Sequence, residues 1–528
     1  MIRRAAFFLA LFVLLLSVLV ACTNDPSPGS PQEDSAANAE PYIIGDRQGD
    51  WGYPSPYSAY PRGPGYLRMY YIFDTLIWKD DSGFVGALAE EYNFDPENLS
   101  YTFNLREDVT WHDGTAFSAD DVIFTFNYLR EHPMPVADIS IIEEVSKLDQ
   151  YTVKITLERP YAAFLNNLAG VVPVLPEHTW SGVEQPEEFA GPEAVIGTGP
   201  YRLKNYSREQ GRYHYQAFPD YYLGTPLVDE LLMIKVGDPQ MALQSGDVDF
   251  AQIEPEAVEI LEQKGFLVES GTHDWCLKLM INHREEPLSK VEFRRSLALA
   301  IDLDELVARA LRGHGLPGSP GLVSPDSRWY CREIAPYGFN HREAVEKLET
   351  MGYSFSDGIL KDEAGEQLSL ELITHADFAR EAEIVGRQLS ELGIDLNVRS
   401  MERSVVDSYI RNWDFDLAIS GHGAVGGDPE TLQRFMVGEA SPHLNARYQD
   451  EKLIEALKHQ SRALDEDERG KAVCEVQRLH AEAVPAYPLY YPTWYYAHNE
   501  RVEWFFTKDG IGTGTPIPLN KLALVEQE

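Results

Sequence analysis

Thiols, imidazoles and clustered aromatic rings are where chemistry could be built in this chain. Fourteen histidines are present, yet no HExxH, HxH or Cys/His pair falls at metal-ligand spacing, and no metal centre is expected. His422 is the exception, because it lies inside Gly421-His422-Gly423-Ala424-Val425-Gly426. Its competing reading is a hydrogen-bonded loop histidine. His112, between Trp111 and Asp113, reads as a turn residue. The six-residue glycine run formally matches GxGxxG and follows the apolar stretch 415–419. A dinucleotide fold would need a helix opening within the glycines, and Asp428-Pro429 defers one. No GxSxG elbow or SxxK motif occurs, so a hydrolase would have no visible nucleophile.

The aromatics say more. Residues 51–65 hold Trp51, Tyr53, Tyr57 and Tyr60 with one cation, Arg62, among too many Pro and Gly for a helix or central strand. Such an ordered loop supplies apolar walls and one charged handle for a small ligand, Arg62 facing an anionic group. Its other use is packing onto the core. Trp275 stands just before a strand expected over 277–282, and is placed with Trp51, Tyr53, Arg62 and His422 on one ligand cleft. A second cluster, 487–496, reads as core strand and interface.

These residues need a scaffold. Tyr101, Phe103 and Leu105 alternate with polar neighbours as a half-buried strand, and Ser118 with Asp120 and Asp121 opens a helix. Phe293, Leu297, Ala300, Ile301 and Leu311 recur at helical spacing up to Gly313, predicting one helix over 291–312. A helix over 382–392, Gly393, then alternating Ile394, Leu396 and Val398 complete an α/β pattern.

With 528 residues the chain can build two or three domains, and its net charge of −39 (84 acidic against 45 basic residues) excludes a basic nucleic-acid face. Arg3 and Arg4 precede residues 5–20, apolar save Ser17, and Ala21-Cys22 follows. That is the pattern of a signal peptide over 1–21 and a lipobox, with Cys22 acylated and 22–40 a linker to the membrane. Of the remaining cysteines, Cys276 with Cys331 is a candidate disulfide that leaves Cys474 over; a buried unpaired cysteine is the alternative.

Four segments in order carry a resemblance. Leu88-Ala89-Glu90 with 101–115 and Ser118-Ala119-Asp120-Asp121-Val122 comes first, then Ile196-Gly197-Thr198-Gly199-Pro200-Tyr201. Ala242-Leu243-Gln244-Ser245-Gly246-Asp247-Val248-Asp249 follows, then Asn282 with 293–302. Together they resemble the family 5 extracellular solute-binding proteins, the dipeptide, oligopeptide and nickel-chelate receptors of ABC importers. The resemblance implies a two-lobed type II periplasmic-binding fold. Lobe one would hold 41–270 plus 485–528, with an extra subdomain over roughly 60–190, and lobe two would hold 271–484. It implies a monomeric, cofactor-free receptor that closes on a peptide or peptide-like solute and serves a permease. In peptide receptors the loop equivalent to 421–429 offers an aspartate to the peptide ammonium. Val425 takes that place here, so Asp428 is the candidate to supply the charge. His422 makes a nickel chelate or metallophore the rival ligand; an exported hydrolase is the rival class.

Overall fold

The computed structural model describes residues 40–60, 63–134, 137–271, 273–423, 425, 427–438 and 443–526. Cys22, the linker up to Ala39 and Arg62 lie outside the described residues. Among the described residues no helix is long and apolar enough to cross a membrane.

The α/β expectation holds. A first, seven-stranded sheet is built around Tyr42–Asp46, which pairs in parallel with Glu230–Lys235 and Phe250–Ile253. Arg212–Ala217 and Tyr201–Ser207 extend it on one side. On the other, Tyr495–His498 is inserted antiparallel between Phe250–Ile253 and Leu267–Ser270. A second, six-stranded sheet runs in the order Gly315–Pro317, Ala486–Pro492, Cys276–Ile281, Leu417–His422, Ser369–His375, Asp395–Met401. All six residues of Cys276–Ile281 are buried, as expected of an apolar strand covered on both faces. A third sheet, Ala89–Asp95, Ser100–Leu105, Thr152–Leu157 and Ile142–Asp149, carries the helix Ala119–Glu131. Ser118 closes a capping box on that helix: its side chain accepts from Asp120 N at 3.3 Å, and its own N–H donates to Asp121 Oδ2 at 3.0 Å.

Each sheet has its own apolar core. Trp111, Phe103 and Trp180 centre the third, Tyr42, Tyr215 and Trp504 the first, and Leu279, Phe293 and Leu389 the second. The Ile196–Tyr201 segment welds the first core to the third. A Cβ on Gly197 would stand 1.9 Å from the Ile72 carbonyl oxygen, and one on Gly199 2.7 Å from the Tyr71 carbonyl oxygen, so only glycine fits. His112, expected in a turn, is there but buried: its Nδ1 accepts from Gly197 N at 3.3 Å and its Nε2–H donates to Gly199 O at 2.9 Å.

Several expectations are corrected. The single helix over 291–312 is two, Val291–Ala300 and Leu303–Ala310, because the Asp302 carboxylate accepts from Glu305 N at 2.9 Å and starts a new N-terminus. The disulfide joins Cys331 to Cys474 with Cα atoms 4.9 Å apart, while Cys276 is a buried free thiol in the central strand of the second sheet. Residues 486–492, assigned by sequence to lobe one, form a strand of the second sheet. The return to the first sheet falls at 493–494.

Candidate functional site

Where strand ends face one another, a cavity of about 840 Å³ opens. The first sheet contributes Asp46 and Ile253 from the ends of Tyr42–Asp46 and Phe250–Ile253; the second contributes His375 and Gly421 from Ser369–His375 and Leu417–His422. Within each sheet these strands run parallel to one another, so their carboxyl ends converge, and the crevice beyond such ends is the favoured ligand position in α/β proteins.

Aromatic rings form its walls. Trp275 lies 5.8 Å from Phe378 and 6.0 Å from Trp494, and a Cβ on Gly421 would come within 2.1 Å of its ring. Glycine at 421 is therefore what lets the indole lie flat over the strand. Trp51 is fastened from behind: its indole N–H donates to Asp46 Oδ2 at 2.8 Å, and Arg68 holds the same oxygen at 2.6 Å. The Arg68 guanidinium and hydrogen bonds from the indole and nearby amides keep the Asp46 carboxyl below its ordinary value, although burial opposes them.

Most charge on the cavity wall is already matched. Arg47 meets Glu254 at 3.3 Å, Arg403 meets Asp377 at 2.5 Å, and Arg312 pairs with Glu256. The exception is Arg380, at the start of the helix Ala379–Ser390, which is exposed and has no ionic or hydrogen-bonded partner among the described residues. His375 adds a second unmet group. With its Nε2 directed to Asp407 Oδ1 at 3.3 Å, its Nδ1 is buried without a partner among the described residues. The cavity therefore presents aromatic surface, one uncompensated cation and one buried imidazole nitrogen, a set suited to a small solute carrying an anionic group.

Of the residues singled out from sequence, Trp51 and Trp275 line this cavity. Tyr53 faces a neighbouring hollow with Tyr206 and Arg208, and its hydroxyl donates to Gly191 O at 2.7 Å. His422 is buried on the far side of its strand. Its Nδ1–H donates to Gly423 O at 2.9 Å, its Nε2 accepts from Lys278 Nζ at 2.9 Å, and Phe435 stacks on the ring. Burial and the lysine charge push its imidazole well below the ordinary histidine range. Asp428 is held by both guanidinium nitrogens of Arg469, at 2.6 and 2.8 Å, and is buried with it. Arg380, His375 and Arg403 were missed. Their available signal was position, a charged cluster at a strand-to-helix junction of an α/β unit.

Comparison with known proteins agrees with this architecture. The profile of the bacterial extracellular solute-binding proteins, family 5 Middle, matches residues 83–441. The oligopeptide-binding protein AppA of Bacillus subtilis (strain 168) is 26% identical over 536 residues, covering 95% of this chain and 96% of its own. Di/tripeptide-binding protein 2 of Pseudomonas aeruginosa (strain UCBPP-PA14) is 26% identical over 452 residues, with coverages of 79% and 83%. The crystal structure of NikZ from Campylobacter jejuni in complex with Ni(L-His) superposes with a TM-score of 0.76 at 22% identity, covering 90% of this chain and 97% of that one.

Proposed function

Because the chain belongs to the bacterial extracellular solute-binding proteins of family 5, we propose that it captures a peptide or peptide-like solute in the cavity between its two large sheets and presents it to the permease of an ABC importer. The observation that carries this reading is Arg380, without a partner among the described residues, in a cavity whose other guanidinium groups are paired. A guanidinium grips a carboxylate with two parallel hydrogen bonds, and such a group ends every free peptide. Curated relatives named for oligopeptides and for di- and tripeptides support the same solute class.

In this reading the two large sheets are the cores of two lobes. Lobe one comprises 40–270 with the return from Tyr495, lobe two 276–492, and closure is a hinge motion about the chain crossings. The protein works as a monomer without cofactor, and it binds its solute without turning it over. The nickel-chelate alternative rested on His422, both of whose ring nitrogens are engaged; the structural likeness to a nickel-chelate receptor and the open Nδ1 of His375 keep it as the second reading. Cys22 remains the proposed lipid anchor; Cys22→Ser should release the protein from washed membranes, and full retention would place the anchor elsewhere.

Native mass spectrometry of tagless protein should find a peptide-sized solute bound. Calorimetry with that solute should show Arg380→Ala weakening affinity about tenfold or more, since ~1.4 kcal/mol is one decade and a charged hydrogen bond contributes roughly 1.5–3 kcal/mol. Chemical turnover of the solute, or unchanged affinity in the folded variant, would sink the reading.

A further inference from the structure

The chain passes between the first and second sheets twice, between Ser270 and Cys276 and again between Pro492 and Tyr495. The crossings touch. Gly271 N–H donates to Trp494 O at 2.7 Å, and Trp275 and Trp494 pack together. His273, in the first crossing, adds a side-chain link in each direction: its Nε2 lies 2.8 Å from Thr493 Oγ1 in the second crossing, and its Nδ1 lies 2.7 Å from Asp326 Oδ2.

Asp326 belongs to neither crossing. It sits on the irregular strap between Pro317 and His341, which is fixed to the second lobe at several points. Pro320 O accepts from His480 Nδ1 at 2.8 Å, and Leu322 O accepts from the Tyr491 hydroxyl at 2.9 Å. Gln477 brackets Trp329 and Cys331, donating to Trp329 O at 2.7 Å and accepting from Cys331 N at 3.1 Å. The Cys331–Cys474 disulfide then binds the strap covalently to the helix Glu466–Ala483.

We propose that Thr493, His273 and Asp326 form a tie across the hinge, joining both crossings to the disulfide-pinned strap and so restraining lobe rotation in the solute-free protein. The inference rests on the two-lobe reading above. A hinge works by changing the backbone angles of a few residues. Here both crossings are bonded through one imidazole to a strap anchored on either side of Asp326, at Leu322 and Trp329, so rotation of a crossing strains or breaks a side-chain hydrogen bond. The tie sets how far the lobes open before a solute enters, and hence how much of the closed form exists for it to select.

The test uses full-length protein freed of solute by refolding from guanidinium. In His273→Ala and in Thr493→Val, amide hydrogen exchange at 273–275 and 493–495 should quicken at least tenfold, while the sheet cores Cys276–Ile281 and Tyr42–Asp46 keep wild-type protection as the folding control. Small-angle scattering should show a larger mean radius in both. Asp326→Ala should do the same, with the tie intact between His273 and Thr493 and so a smaller gain. Wild-type exchange at the crossings in folded His273→Ala overturns the tie, and unchanged exchange in Cys474→Ser removes the strap from it. Failure of the receptor reading is visible separately, as wild-type protein that never compacts with any peptide of a mixed di- to pentapeptide library, whatever the exchange result.

Discussion

Gly421 and His422 are neighbours in sequence and opposites in space. Read from sequence, the strand ended near residue 419 and His422 stood in a loop; the strand in fact continues to His422. Alternation along a strand then sends successive side chains to opposite faces, Gly421 to the cavity and His422 into the protein. Three residues of strand length were enough to move the candidate from the site to the core. Trp51 and Trp275 were legible because large aromatics in irregular segments wall cavities wherever those segments face one. Arg380 was not, since its meaning lies in the absence of a partner, which only the folded chain reveals. Gly421→Ala should push the Trp275 indole off the strand, shifting tryptophan fluorescence and weakening solute binding while the fold survives; an unchanged spectrum and affinity would show the wall is elsewhere. Beside His422, burial drives the Lys278 ammonium down to about 7. The unfolded chain holds this proton up to its ordinary value of about 10.4. Between those limits the unfolded state binds more protons, so stability rises with pH across roughly 7 to 10. In Lys278→Met, urea midpoints measured across that window should climb less steeply; Lys79, which burial lowers to about 8, and Lys521, which burial also lowers, keep part of the slope, and the Cys276 thiol, pushed up to about 12 by burial, opposes it.

At the scale of elements, periodicity located the helices but not their interruptions. The apolar positions from Phe293 to Leu311 fit one helix, yet Asp302 has a nearer use for its carboxylate, capping the amides of a second. A sequence pattern cannot say whether an aspartate at a helical position faces solvent or a helix end. Ser118 was easier, because a serine followed three residues on by an acid, just before an apolar run, satisfies both halves of a capping box. Asp302→Ala should cost about 0.5–2 kcal/mol of stability, the usual loss of an N-cap, read as a lower denaturation midpoint with unchanged solute affinity. A loss of affinity at intact stability would instead mean that this break positions the cavity wall.

Across the whole molecule, the fold was more legible than the ligand, and the landmark segments explain why. Ile196–Tyr201 is constrained by close approach to Tyr71 and Ile72, and the Ser118 segment by a helix start. Such motifs record how the chain packs. The cavity residues come from scattered strand ends under no common local constraint, so no contiguous pattern announces them. Sequence left the disulfide open for a related reason, although the alternative of a buried unpaired cysteine holds for Cys276: Cys331 and Cys474 lie 143 residues apart, and only the strap's path along the helix brings them together. Closing so long a loop restrains the unfolded chain, and Cys474→Ser should lower unfolding free energy by about 2–5 kcal/mol in urea titrations. An unaffected midpoint would show that the bridge adds nothing to the stability of this strap.

The position of Tyr495–His498 also fixes an order of completion. Among the described residues, Phe250–Ile253 and Leu267–Ser270 are hydrogen-bonded into one sheet through that late strand, and the buried Asp74 waits for Lys521 to form its ion pair. The first sheet, whose other strands are all synthesised before residue 271, is therefore the last to finish, whereas every strand of the second sheet is present once residue 492 has been made. Until the final residues arrive, the amino-terminal half is a sheet with a missing rib, two strand edges open to pairing with other chains. A chain stopped after Thr493 should give a protease-resistant fragment from the second sheet and none from the first, so the strand Tyr495–His498 acts as the closing stitch of the first sheet.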